Sequence, residues 1–147
     1  DQTRTCLLVA FSNIHKNIDC ISISIDAATE KTYQQVRRLG NWNRLIKNLE
    51  FISTLRKAKQ IDNISLNYVV QNDNYFEMAD FVRLAIKVGH VDEVFFSLIN
   101  DWNTWSEADY KKQCIWKTSH HNFNDFMNYL KDPVFDHPSV KLGNLTE

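Results

Sequence analysis

Glycine and proline are scarce in this chain, three and two among 147 residues. A glycine-rich phosphate loop of either common type needs several closely spaced glycines, so both are excluded. Cysteine is equally sparse: Cys6, Cys20 and Cys114 are odd in number and far apart. That usage speaks against a disulfide framework and for buried free thiols in a reducing compartment, which makes a cytoplasmic protein the expectation. On the same reading Asn63-Ile64-Ser65 and Asn144-Leu145-Thr146 carry no glycan, because glycosylation requires secretion. An excess of either charge is missing too. Seventeen basic side chains against eighteen acidic leave a formal charge of −1, which gives no electrostatic ground for a nucleic acid or an anionic membrane as partner. The apolar run from Cys6 to Phe11 is too short to span a bilayer or to form a signal-peptide core.

What is present suits one soluble globular domain over residues 1–147, 44% hydrophobic and 24% charged. Leu7, Leu8, Phe11, Ile14 and His15 follow helical spacing, which predicts a helix from Cys6 to His15. The chain begins without methionine or a preceding strand, as an interior cut would. A strand follows from about Cys20 to Ile25. Thr29 can cap a short helix that Gly40 ends, glycine readily taking the left-handed conformation. A longer helix opens at Asn41 or Asn43 and runs to about Lys59, with Trp42, Leu45, Ile46, Leu49, Ile52 and Leu55 as its buried stripe. Ile64 to Gln71 is the second strand, and Asn74 with Glu77 resembles a capping box. The helix after it carries Tyr75, Met78, Ala79, Val82, Ala85 and Ile86 on one face and stops at Gly89. Asp92 to Ile99 is the third strand. Helices capped by Ser106 and lying over Asn122 to Lys131 come next, and residues 132–147 read as an irregular tail. Crossovers of this length make the strands parallel, so the class is α/β with a parallel βαβαβ unit.

The strand faces are unusual. Cys20-Ile21-Ser22-Ile23-Ser24-Ile25 alternates isoleucine with serine and ends on Asp26, and Ile64 to Gln71 carries Ser65, Asn67 and Gln71 on one side. Parallel strands are normally apolar on both faces. A partial (β/α) barrel with a solvent-filled, ligand-binding interior accounts for polar faces better than an open sheet. Ser22, Ser24, Asp26, Asn67 and Gln71 would then face the lumen, with Asp26, Gln71 and Asn100 at the carboxyl ends where ligands bind.

The run Asp19 to Arg38, followed by Gly40-Asn41-Trp42 and Asn48-Leu49, resembles the middle of a radical S-adenosylmethionine (SAM) enzyme. The likeness continues through Val69-Val70-Gln71, Asn74, Glu77-Met78, Phe81-Val82, Val94-Phe95-Phe96 and Gly143-Asn144-Leu145. It is greatest to the group with an additional C-terminal iron–sulfur domain. The resemblance implies a barrel that holds a [4Fe–4S] cluster and SAM and generates a 5′-deoxyadenosyl radical, with the strands here as its fourth, fifth and sixth. It implies Ser24 and Asp26 at the SAM ribose, Arg37 at the methionine carboxylate, Gln71 on the nucleotide side, and the backbone of Leu98 and Ile99 beside the adenine.

The family's CxxxCxxC, three thiolates on one short loop that leave an iron open to SAM, is absent. The first three strands are absent as well. The chain is therefore expected to bind neither cluster nor SAM by itself, as a fragment of a longer enzyme or a product of gene decay. Its partner would be the missing half of the barrel or a second copy. A different class is a non-catalytic module that dimerises through unpaired sheet edges. Other constellations are weaker. No two of the five histidines have zinc-site spacing, and adjacent His120 and His121 should point their rings apart. Cys20 reads as core rather than nucleophile. Asp26 and Asp101 have nothing that joins them as an acid/base pair. Asp26 alone does not make the acidic pocket of a receiver domain. Trp102, Trp105, Tyr110 and Trp116 suit a barrel end or a partner surface.

Overall fold

A computed structural model describes residues 18–145, so the helix expected from Cys6 to His15 lies outside the described residues. The chain forms a four-stranded parallel sheet in sequential order, β1 (Cys20–Ser24), β2 (Asn63–Val70), β3 (Glu93–Leu98) and β4 (Val140–Lys141). Helices α1 (Glu30–Val36) and α2 (Trp42–Lys57) lie between β1 and β2, and α3 (Met78–Val88) lies between β2 and β3. After β3 come α4 (Glu107–Gln113) and α5 (Phe123–Tyr129). The α/β class and the parallel strands are as expected.

The strand register explains the core. Ile21 pairs with Ile64, and Ile23 with Leu66. Leu66 in turn pairs with Val94, and Tyr68 with Phe96. Because side chains alternate along a strand, these pairs place one apolar row across the sheet. Leu66, Tyr68, Val70, Val94 and Phe96 are fully buried, together with Leu49 of α2 and Phe81 and Val82 of α3. Tyr68 meets Phe81 with ring centroids 4.8 Å apart. The opposite face keeps Ser22 and Ser24 exposed. Its polar groups pair across strands: Asn67 Nδ2 donates to Ser22 Oγ at 2.6 Å and Ser65 Oγ to Glu93 at 3.0 Å.

Several local expectations are corrected. Cys20 is exposed rather than core, because the alternation that turns Ile21 toward the core turns it to the polar face. Gly40 does not supply the left-handed residue after α1; Leu39 does, at φ 65°. Gly40 is needed for space, since a Cβ there would collide with the Tyr33 ring and the Arg37 carbonyl. Ile86 is half exposed, and Phe81 takes its place in the core. His120 and His121 stack, with centroids 4.5 Å apart, because the chain turns on itself there. Among the described residues no helix is long and apolar enough to cross a membrane.

The stretch from 132 is not irregular. A 3₁₀ turn (Pro133–Asp136) leads into β4, which pairs Val140 with Val94 and Lys141 with Phe95. Asn144 Oδ1 then accepts from the Leu98 amide at 2.9 Å, satisfying β3 beyond the reach of β4. Gly143 sits against the Phe96 carbonyl at φ 53°, where a Cβ has no room. The Gly143→Ala variant is expected to lift the tail from β3 and cost roughly 1–3 kcal/mol, by overpacking and left-handed strain together. Urea denaturation measures it, and an unchanged midpoint would refute the close contact.

Candidate functional site

The carboxyl ends of β1 and β2 are held together by three buried polar side chains. Asp26 follows β1 in the left-handed region at φ 62°, a conformation aspartate tolerates better than most residues. Its Oδ1 accepts from the Val69 amide at 2.7 Å, and its Oδ2 pairs with Arg37 Nη2 at 2.5 Å. Asn74 is fully buried. Its Nδ2 donates to the Asp26 carbonyl at 3.0 Å and the Val69 carbonyl at 2.9 Å, while its Oδ1 accepts from the Gln71 amide at 2.9 Å. One amide thus satisfies three backbone groups where both strands end.

Glu77 completes the arrangement. Its carboxylate accepts from the Ala28 and Thr29 amides at 2.7 and 3.1 Å, and from the Thr29 and Thr32 hydroxyls, both at 2.6 Å. Neither residue of the expected capping box acts as one. Asn74 makes no capping hydrogen bond, and Glu77 reaches across to the start of α1. Thr29 does cap α1, as expected, its Oγ1 accepting from the Thr32 amide.

Above these ends lies a cleft of about 950 Å³ between the α1–α2 loop, the turn after β2, and the segment from Thr104 to Gln113. Arg37, Arg38, Leu39, Gln71, Asp73 and Gln113 are among the residues that line it. Arg37 Nε is buried with no hydrogen-bond partner among the described residues. Trp105 stands at this cleft, partly exposed, while Trp102 is largely in solvent.

The residues expected to form a site are only partly assembled. Asp26 and Arg37 touch, and Gln71 shares the cleft with Arg37. Ser24 lies on the open sheet face opposite Asn67. The Leu98 amide is engaged by Asn144, and Asn100 is exposed. Asp101 accepts from the Asn103 amide on an exposed loop, whereas both Asp26 oxygens are already engaged, so the two form no acid/base pair. Asn74, Glu77, Arg38 and Gln113 were not singled out as site residues. No local signal marks Glu77 for this role, since its partners lie 45 to 49 positions away.

Burial pushes the Asp26 carboxyl above its ordinary value, and the Val69 amide and Arg37 offset only part of that. A raised folded pKa means that the folded state holds the proton more tightly than the unfolded chain. Asp26 therefore contributes stability that declines as pH rises from 3.8 through its higher folded value. Asp26→Asn keeps an acceptor for Val69 and removes this titration. Its unfolding free energy relative to native protein is expected to improve as pH rises through that window; parallel pH profiles would refute this.

No protein-family model matches this chain, and neither a curated protein nor a solved structure does.

Proposed function

We propose that this chain forms the carboxyl-terminal part of a radical SAM barrel and supplies one wall of a SAM pocket, inactive without the segment that binds the cluster. The observation that carries this reading is the parallel sheet with one buried apolar face and, on the other, the exposed serines of β1, a strand that leads into the Asp26–Arg37 pair. In a partial barrel the polar face becomes the lumen and the pair lies at its mouth.

The cluster does not fit this chain's own donors. Cys6, Cys20 and Cys114 are 14 and 94 positions apart, Cys20 is exposed on β1, and Cys114 is buried with its thiol against the Tyr110 carbonyl. The SAM side fits better, because the unpartnered Arg37 Nε keeps a donor for a carboxylate. In this reading Asp26 orients Arg37, Gln71 lines the nucleotide side, Ser24 meets the ribose, and the strand end near Leu98 flanks the adenine.

Isothermal titration with SAM tests the proposal. Binding to the chain combined with a segment that supplies the cluster site, lost in Arg37→Met, supports it, whereas no heat from SAM with that combination overturns it. A barrel also requires three further βα units of about 30 residues each, so CxxxCxxC should lie about 100 residues before Asp26. An upstream sequence without it counts against the enzyme.

A second reading, a module that dimerises by edge pairing, draws on β1, whose outer edge has no partner strand among the described residues. The other edge expected to be free, that of β3, is taken by β4 and Asn144. Light scattering that returns a strict monomer removes this reading.

A further inference from the structure

We infer that a second cavity, formed by the end of α4 and the loop after it, binds the phosphate group of a small phosphate monoester, with Lys117, Ser119 and His121 as free donors. The cavity holds about 480 Å³, within the range that small ligands occupy. Lys112 also lines the cleft described above, but the other lining residues are different. Tight turns shape the loop: the Lys117 amide donates to the Cys114 carbonyl at 3.1 Å, and the His120 amide to the Lys117 carbonyl at 2.8 Å. The His120 ring then ties the loop to α4, because its Nε2 meets the Lys112 carbonyl at 3.0 Å. Its Nδ1 accepts from the Asn122 amide at 3.2 Å. These two partners place the ring hydrogen on Nε2 and fix the ring at both ends. His121 stacks on it with centroids 4.5 Å apart and 24° between the planes. Its own nitrogens have no hydrogen bond among the described residues.

The charge at this cavity has one sign. Lys117 is exposed and forms no ion pair among the described residues. Lys111 meets Glu107 only at 3.8 Å, with both side chains largely in solvent, so that pair neutralises little. Lys112 is held by Asp109 at 2.8 Å. Neither carboxylate lines the cavity, whose walls bring three lysines together with Ser119 and two histidines. An anion relieves the mutual repulsion of those lysines. Ammonium groups act as point charges and, with a hydroxyl, suit the three terminal oxygens of a phosphate monoester. A planar carboxylate is better matched by an arginine fork, and no arginine lines the cavity. The net charge of −1 supplies no wider field to hold a nucleic acid or a membrane, which leaves a small molecule as the ligand. This inference goes beyond the SAM reading and does not depend on it.

NMR titration of the native chain with methyl phosphate, dimethyl phosphate and acetate at matched ionic strength tests it. Methyl phosphate is expected to give saturable shifts at the Ser119, His120 and His121 amides, with a Kd of about 1 mM or tighter. Dimethyl phosphate and acetate, each with a single charge, should bind about threefold more weakly or worse. Lys117→Gln, an exposed change at a side chain without a partner, should weaken methyl phosphate by about two- to fivefold. Lys47→Gln, on the exposed face of α2, should leave its affinity unchanged and serves as the control. The absence of saturation, equal affinity for all three anions, or equal effects of the two variants would overturn the inference. Binding to vesicles that contain phosphatidic acid, without binding to methyl phosphate, would overturn it in favour of a membrane surface.

Discussion

Glu77→Ala is expected to destabilise the protein by about 3 kcal/mol or more, because it strands donors that the fold has withdrawn from water. Four groups bond to this carboxylate, and they span the junction from Ala28 to the first turn of α1. Thr29 is exposed and can turn to solvent, whereas Thr32 is 4% exposed and has no such escape. Its hydroxyl and the Ala28 amide bear most of the cost. Glu77→Gln preserves the volume but presents an amino group where two donors converge, so an intermediate loss is expected. Both variants should loosen the junction after Asp26 before the sheet itself yields. Urea denaturation gives the magnitude, and hydrogen exchange at Ala28 and Thr29 gives the location. A change below about 0.5 kcal/mol, the ordinary range for surface substitutions, would show that the carboxylate is dispensable.

Substitution of Asn74 should be as damaging, for a different reason. Asn74→Ala leaves two carbonyls and one amide unpaired at a fully buried position, for a loss of about 2–4 kcal/mol. Asn74→Asp is the sharper experiment because it changes one atom. The new oxygen faces the carbonyls of Asp26 and Val69 where a donor stood, so the ionised form is both desolvated and repelled. Protonation restores one donor. The variant should therefore be least stable near neutrality and recover partly on acidification, losing stability as pH rises from the ordinary carboxyl range through its raised folded pKa. Asn74→Ala has no such recovery. Equal pH profiles for the two variants would mean that Asn74 works by packing rather than by donating.

The same junction shows how far sequence reasoning reached. The alternation of isoleucine and serine in β1 announced a strand with one polar face, and the 3.6-residue stripes announced α2 and α3. These are local patterns, set by which side chains avoid water, and they survive in the folded chain. The Ser106 and Thr29 caps were legible for the same reason, each acting within three residues. Asn74 and Glu77 misled because their spacing satisfies a local rule while their partners are far along the chain. Gln113 gave no signal, since an unpaired acceptor exists only once neighbours have excluded water. Two isolated tail residues, Val140 and Lys141, could not be read as a strand either, since only the edge of β3 makes them one.

The sequence alone determined the α/β class, the parallel strand direction implied by long crossovers, the apolar rows, and the presence of a polar sheet face ending in Asp26. These follow from hydrophobic periodicity and chain connectivity, which need no knowledge of distant contacts. The tertiary structure alone decided that Asp26 meets Arg37, that Glu77 secures the start of α1, that the tail covers β3, and that Arg37 and Gln113 line one cleft. The physical reason is common to all four: each depends on water being excluded between segments far apart in the chain, and only the packed fold fixes where that occurs.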